Sequence, residues 1–98
     1  MVIFDLPVGT KRERRAATKF RNFLLDQGFA MSQFSVYMRF CGGKDQAESY
    51  SKRIEQSLPT TGLVQILNFT DKQYENIRTY RGRKREHSPK NPNQLALF

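Results

Sequence analysis

Apolar and polar positions along this chain follow a period that changes several times. Val2-Ile3-Phe4-Asp5-Leu6, stopped by Pro7, reads as a short strand apolar enough to be buried on both faces, with a carboxylate near its C-terminal end. From Lys11 the period becomes helical, and Ala16, Ala17, Phe20, Phe23, Leu24 and Gln27 fall on one stripe. Thr10 and Glu13 have the spacing of a capping box, and Gly28 suits the residue just past a helix end. From Phe29 to Phe40 the period is two: Phe34, Val36, Met38 and Phe40 share one face, and Ser35, Tyr37 and Arg39 the other. That stretch predicts either one bent strand or a tight hairpin pivoting near Ser32-Gln33. Cys41-Gly42-Gly43 is a turn. Asp45 and Glu48 repeat the cap spacing ahead of a second amphipathic helix, marked by Ala47, Tyr50, Ile54 and Leu58 and ended by Pro59. Residues 63–69 read as another strand, 70–73 as a short helical turn, and 76–80 as an edge strand.

The order strand, helix, strand pair, helix, strand is βαββαβ. It predicts an α+β, ferredoxin-like sandwich with an extra C-terminal strand or tail. Two helices on one sheet face leave the other face bare. The apolar row Phe34, Val36, Met38 and Phe40 is too long to stay wet, so a homodimer packed sheet to sheet is expected. After residue 80 the composition changes. Arg81-Gly82-Arg83-Lys84-Arg85 is basic, Ser88-Pro89-Lys90-Asn91-Pro92-Asn93 is a polar linker, and Gln94-Leu95-Ala96-Leu97-Phe98 is apolar. The expected division is a domain over 1–80 and a tail over 81–98.

Charge narrows the function. Seventeen Lys and Arg against nine Asp and Glu in 98 residues give a net charge of +8, which points to a polyanionic partner, nucleic acid ahead of a membrane surface. No apolar run is long enough to cross a membrane, and Met1 to Asp5 has no basic segment leading into an apolar one, so a cytoplasmic protein is expected. One cysteine (Cys41) and one histidine (His87) argue against zinc sites and Ser-His-Asp catalysis. Chemistry then falls to carboxylates, hydroxyls and a bound metal.

Asp5 has two readings. It caps the turn Leu6-Pro7-Val8-Gly9, or it binds a hard cation such as Mg²⁺ through oxygen. One carboxylate is a poor site; two brought together across a twofold axis make a reasonable one. Lys11, Arg12, Arg14, Arg15, Lys19 and Arg21 form a basic run with one acid, Glu13. A solvated helix face would explain such a run. Against that, many of these cations crowd the helix start, where the dipole disfavours them, and acids four residues on are missing. A dimer would duplicate the cluster into a surface for a duplex backbone. Arg12, Arg14 and Arg15 lead as phosphate contacts because a guanidinium holds phosphate oxygens in a fork. Lys11, Lys19 and Arg78 join them. No recognition helix or stacking platform is evident, so binding should follow shape and phosphate. Arg78, Arg81, Arg83, Lys84 and Arg85 form a second cluster, either a solvated tail or a further contact. Tyr37 and Arg39, on the polar strand face, could lie near Asp5 or a dimer axis, or Tyr37 could pack in the core.

Met1-Val2-Ile3-Phe4-Asp5-Leu6-Pro7 resembles the opening strand of the second core CRISPR-associated protein family, the small partner of the spacer integrase. The resemblance continues through Lys11-Arg12-Glu13-Arg14, Leu24-Leu25-Asp26-Gln27-Gly28-Phe29, Gln33-Phe34-Ser35-Val36-Tyr37, Gly62-Leu63-Val64-Gln65-Ile66-Leu67 and Thr70-Asp71-Lys72-Gln73. The final pentapeptide is similar to variants from type II systems. The resemblance implies a ferredoxin-like homodimer in CRISPR spacer acquisition, flanked by two integrase dimers and holding double-stranded DNA. It also implies that Asp5 is the strand-end Asp that, in metal-dependent members, meets its symmetry mate over Mg²⁺ to hydrolyse RNA or DNA. Single-stranded RNA is thus a further expected substrate. For the tail, Leu95, Leu97 and Phe98 are expected to dock on the integrase. The same pentapeptide is similar to the peptides by which bacterial proteins bind the replicative sliding clamp, and a frayed terminus is the bland reading. The rivals for function are a stand-alone, toxin-like, metal-dependent ribonuclease and a non-catalytic RNA-binding module of the same fold.

Overall fold

The computed structural model describes residues 1–86. Its elements are β1 (Val2–Asp5), α1 (Lys11–Asp26), β2 (Ala30–Gln33), β3 (Val36–Met38), α2 (Lys44–Gln56), β4 (Leu63–Ile66), α3 (Asp71–Glu75), β5 (Thr79–Arg81) and β6 (Lys84–Glu86). The first four strands form one antiparallel sheet in the order β2-β3-β1-β4. This is the ferredoxin-like arrangement, with the two outer connections crossing over as α1 and α2.

Local chemistry explains the helix starts. Thr10 Oγ1 accepts from the Glu13 amide at 3.1 Å, and Glu13 Oε1 accepts from the Thr10 amide at 2.9 Å, so two orphan donors are satisfied at once. Thr70 and Gln73 repeat the device at α3. The cap expected at Asp45 is not used. α2 starts two residues earlier, behind Gly43 as its cap, and the Gln46 side chain accepts from the Gly42 amide. At the end of α1, Gly28 takes φ +87°, a conformation glycine adopts without steric cost.

The core lies between the sheet and its helices. Val2 and Phe4 from β1 and Tyr37 from β3 meet Phe20 and Leu24 of α1 and Ile54 of α2, with Phe29 closing the cluster. Phe4 meets Phe20 edge-on at 5.3 Å and stacks on Tyr37 at 5.6 Å. β1 therefore alternates instead of being buried on both sides: Val2 and Phe4 are covered, Ile3 is half-buried and Asp5 is exposed. Met1, Met38, Phe69 and Tyr74 form a second cluster. Strand alternation puts Met38 on the sheet face opposite Tyr37, so α3 covers one end of the outer face.

The 29–40 stretch is a hairpin, and its turn falls at Phe34-Ser35, just past the expected pivot, with Ser35 at φ +62°. The apolar row read as a continuous face is consequently broken. Phe34 stands in the turn, 91% exposed, Phe40 lies beyond β3, and only Val36 and Met38 remain on the strand. β4 ends at Ile66 instead of 69, which frees Phe69 for the second cluster. The edge strand expected over 76–80 begins at Thr79. It pairs with β6 in a separate two-stranded hairpin that turns through Gly82 at φ +64°. Much of the basic run after residue 80 is thus strand and turn. Among the described residues, no helix is long and apolar enough to cross a membrane.

Candidate active site and nucleic-acid interface

Asp5 ends the central pair of strands, opposite Leu63 of β4, with its side chain on the outer face and exposed. The backbone around it is fixed from two directions. The Phe4 amide donates to the Ser35 carbonyl at 3.0 Å, tying β1 to the hairpin turn. On the other side Gly62, at φ +96°, lies so close that a Cβ there would stand 2.8 Å from the Asp5 carbonyl oxygen and 2.7 Å from Leu6 Cδ2. The strand end is pinned, while the carboxylate faces solvent.

Five residues of loop return the chain from Asp5 to α1, so the cationic helix start lies at the same end of the sandwich as the carboxylate. Arg14 Nη1 donates to the Val8 carbonyl at 3.2 Å, anchoring that loop. Lys11, Arg14, Arg15 and Lys19 line one shallow groove along α1 with Thr18, Asn22, Phe23 and Asp26. Arg12 is exposed outside that lining. Among the described residues none of these five cations has an ion-pair partner. Arg78 is exposed in the connection between α3 and β5, apart in sequence from the α1 group, and the hairpin after it carries Arg81, Arg83 and Arg85. Leu95, Leu97 and Phe98 lie outside the described residues.

Among the described residues no group of three His, Cys, Asp or Glu side chains could hold a metal ion. The exposed Asp5 carboxylate offers oxygen of the kind that suits a hard cation keeping most of its waters.

The chain matches the family model described as CRISPR associated protein Cas2 over residues 1–77. It belongs to the Cas2 family. Several relatives, three of them described next, carry the name "CRISPR-associated endoribonuclease Cas2". The one from Paracidovorax avenae is 55% identical over all of this chain and 91% of its own length. The one from Flavobacterium psychrophilum is 45% identical over all of this chain and 85% of its own. The one from Ligilactobacillus salivarius is 50% identical over 86% of this chain and 83% of its own.

Two features of this Cas2-family chain escape a sequence reading. Gly62 looks like any loop glycine until β4 brings it against Asp5. Arg39, expected near Asp5 or a dimer axis, is at the other end of the sandwich. Its side chain turns toward the helices, where Arg39 Nη2 donates to the Tyr50 hydroxyl at 2.6 Å. Strand alternation held the signal, since Arg39 shares its face with Tyr37, and Tyr37 is buried under α1 and α2.

Proposed function

We propose that this chain is a homodimeric, Mg²⁺-dependent phosphodiesterase of CRISPR spacer acquisition that grips nucleic acid by its backbone. The observation that carries the reading is Asp5, an exposed carboxylate at a pinned strand end, beside a helix start crowded with unpaired cations. Sheet-to-sheet pairing through the open part of the outer face would bring two Asp5 side chains together as the oxygen donors for one Mg²⁺. Bound there, the ion supplies an activated water and offsets charge on the phosphate. The chain's own part is to hold the carboxylates in place and fix the scissile strand through Lys11, Arg14, Arg15 and Lys19, with Arg12 and Arg78 as outlying contacts. Duplex DNA fits this phosphate-led grip, and single-stranded RNA fits the endoribonuclease names of the relatives. Within the adaptation complex, the dimer would bridge integrase dimers, with Leu95, Leu97 and Phe98 docking on the integrase or on the sliding clamp.

The RNA-binding-module alternative is disfavoured by the sheet itself. Its two central strands present Ile3, Asp5, Val36 and Met38 on the outer face, which gives bases nothing to stack on.

The test compares wild type with Asp5→Ala on single-stranded RNA and duplex DNA, with Mg²⁺ and with EDTA. Wild type should cleave at least one substrate only with Mg²⁺, and Asp5→Ala should lose about 100-fold or more while its melting temperature stays unchanged. Equal cleavage by both proteins would refute the role of Asp5. Light scattering that shows only monomer would refute the shared metal site.

A further inference from the structure

At the end of the sandwich remote from Asp5, two arginines share one tyrosine. The Arg39 guanidinium carbon lies 4.3 Å from the Tyr50 ring centroid and that of Arg53 lies 4.9 Å from it. The two guanidinium carbons are therefore no more than about 9 Å apart. Arg53 Nη1 donates to Gln27 Oε1 at 3.2 Å, and Arg39 Nη2 donates to the Tyr50 hydroxyl. Among the described residues neither arginine has a carboxylate partner. Arg39 Nε is buried and makes no hydrogen bond.

Two like charges this close repel, and a buried guanidinium donor without an acceptor costs free energy. The tyrosine ring and the C-terminus of α1 offset part of that. The fold nevertheless makes room for the pair. Gly28 at φ +87° passes so close that a Cβ there would stand 3.1 Å from Arg39 Nη1. Because the Tyr50 hydroxyl already accepts from Arg39, its own proton remains available to donate. The arrangement has donors on three side chains and no carboxylate among the described residues.

We infer that Arg39, Tyr50 and Arg53 form a second phosphate subsite, which takes a backbone phosphate of the bound nucleic acid. Guanidinium forks match phosphate oxygens, and the Tyr50 ring is occupied by the arginines, so the subsite reads charge and not bases. α1 spans 16 residues, about 24 Å at 1.5 Å per residue, and the first cationic group occupies it from Lys11 to Lys19. A strand leaving that groove at Lys19 would need about 12 Å more to reach the end of α1, where Gln27 accepts from Arg53. The inference rests on the nucleic-acid reading above but does not need cleavage.

Two measurements test it. The first is the melting temperature of the full chain with and without inorganic phosphate and pyrophosphate. Wild type should be stabilised by either, and Arg53→Gln and Tyr50→Phe should each lose a measurable part of that gain, the α1 groove keeping the rest. The second is duplex and single-stranded RNA binding by anisotropy across a salt series. Each of Arg53→Gln and Arg39→Lys should weaken binding about 3- to 10-fold, and Arg53→Gln should reduce the log–log salt slope by about 0.7–0.9. Unchanged phosphate stabilisation in Arg53→Gln and Tyr50→Phe overturns the subsite. Unchanged nucleic-acid affinity and slope beside lost phosphate stabilisation overturns its assignment to a backbone phosphate. Polyglutamate displacing phosphate while nucleic acid does not would point to an acidic protein instead. A wild type that binds no nucleic acid but responds to phosphate would sink the proposed function and leave the anion site standing.

Discussion

Gly62→Ala is the perturbation that most directly probes how Asp5 is held. A Cβ at residue 62 would stand 2.7 Å from Leu6 Cδ2, 2.8 Å from the Asp5 carbonyl oxygen and 3.2 Å from Leu6 Cα. Two of those three atoms are backbone, so rotating a side chain cannot relieve them. The φ of +96° adds conformational strain that glycine alone escapes. Holding a non-glycine residue in such a region costs about 1–3 kcal/mol, and forcing extra volume into a packed contact costs about 1–3 kcal/mol more. A total of about 2–6 kcal/mol is a large part of the stability expected for a domain of this size. The melting midpoint, followed by far-ultraviolet circular dichroism, should fall by about 10 °C or more. Gly43→Ala is the matched control: its φ of 169° is ordinary extended backbone and its Cβ would meet nothing within 4 Å, so its midpoint should hold. At a temperature where both proteins remain folded, Gly62→Ala should also lose Mg²⁺-dependent cleavage, because relief of the clash moves the Asp5 backbone. A Gly62→Ala protein that melts within about 2 °C of wild type would refute the argument.

The remaining predictions concern caps, charge and protons. Thr10→Ala removes the acceptor for the Glu13 amide and should cost about 1 kcal/mol in urea unfolding. Arg15→Gln should flatten the log–log salt dependence of duplex binding by about 0.9, and an unchanged slope would take Arg15 out of the phosphate contacts. The Met1 α-ammonium donates to the Leu67 carbonyl at 2.8 Å, and its burial holds its pKa below the ordinary 8.0, with Cys41 opposing in part. The unfolded chain therefore holds this proton to higher pH than the folded one. Its contribution makes stability rise with pH from the depressed folded value to about 8.0 and level off above. The urea midpoint of the free-amine protein minus that of an Nα-acetylated one should rise across that window, and a falling difference would contradict the sign.

What was legible in the sequence was local. Thr10 with Glu13 and Thr70 with Gln73 announce their helices because both partners of each box lie within four residues. The apolar stripe of α1 fixes which face meets the sheet. The misread places depend on contacts across the fold. No Asn-Gly or lone glycine marks the hairpin turn, since Ser35 itself takes the positive φ, so the pivot was expected at 32–33 and the apolar row looked continuous. α2 starts behind Gly43 without any side-chain cap, so the Asp45 signal misled. Of the site, Asp5 and the α1 cations were visible as residue types in order. Gly62 and the Arg39–Tyr50–Arg53 cluster were not, because Gly62 meets Asp5, and Arg39 meets Tyr50, only across the fold.

Asp5 stands apart from the scaffold that presents it. Its backbone is locked on both sides, yet its side chain is exposed and makes no hydrogen bond among the described residues. Reactivity and architecture are therefore separable at this position. Replacing the carboxylate removes a donor from the outer face and leaves every strand pairing intact. A lineage that no longer needed this acid could lose it by a single substitution and still build the same sheet. Gly62 has no such latitude, so over evolutionary time the support should prove more persistent than the group it supports.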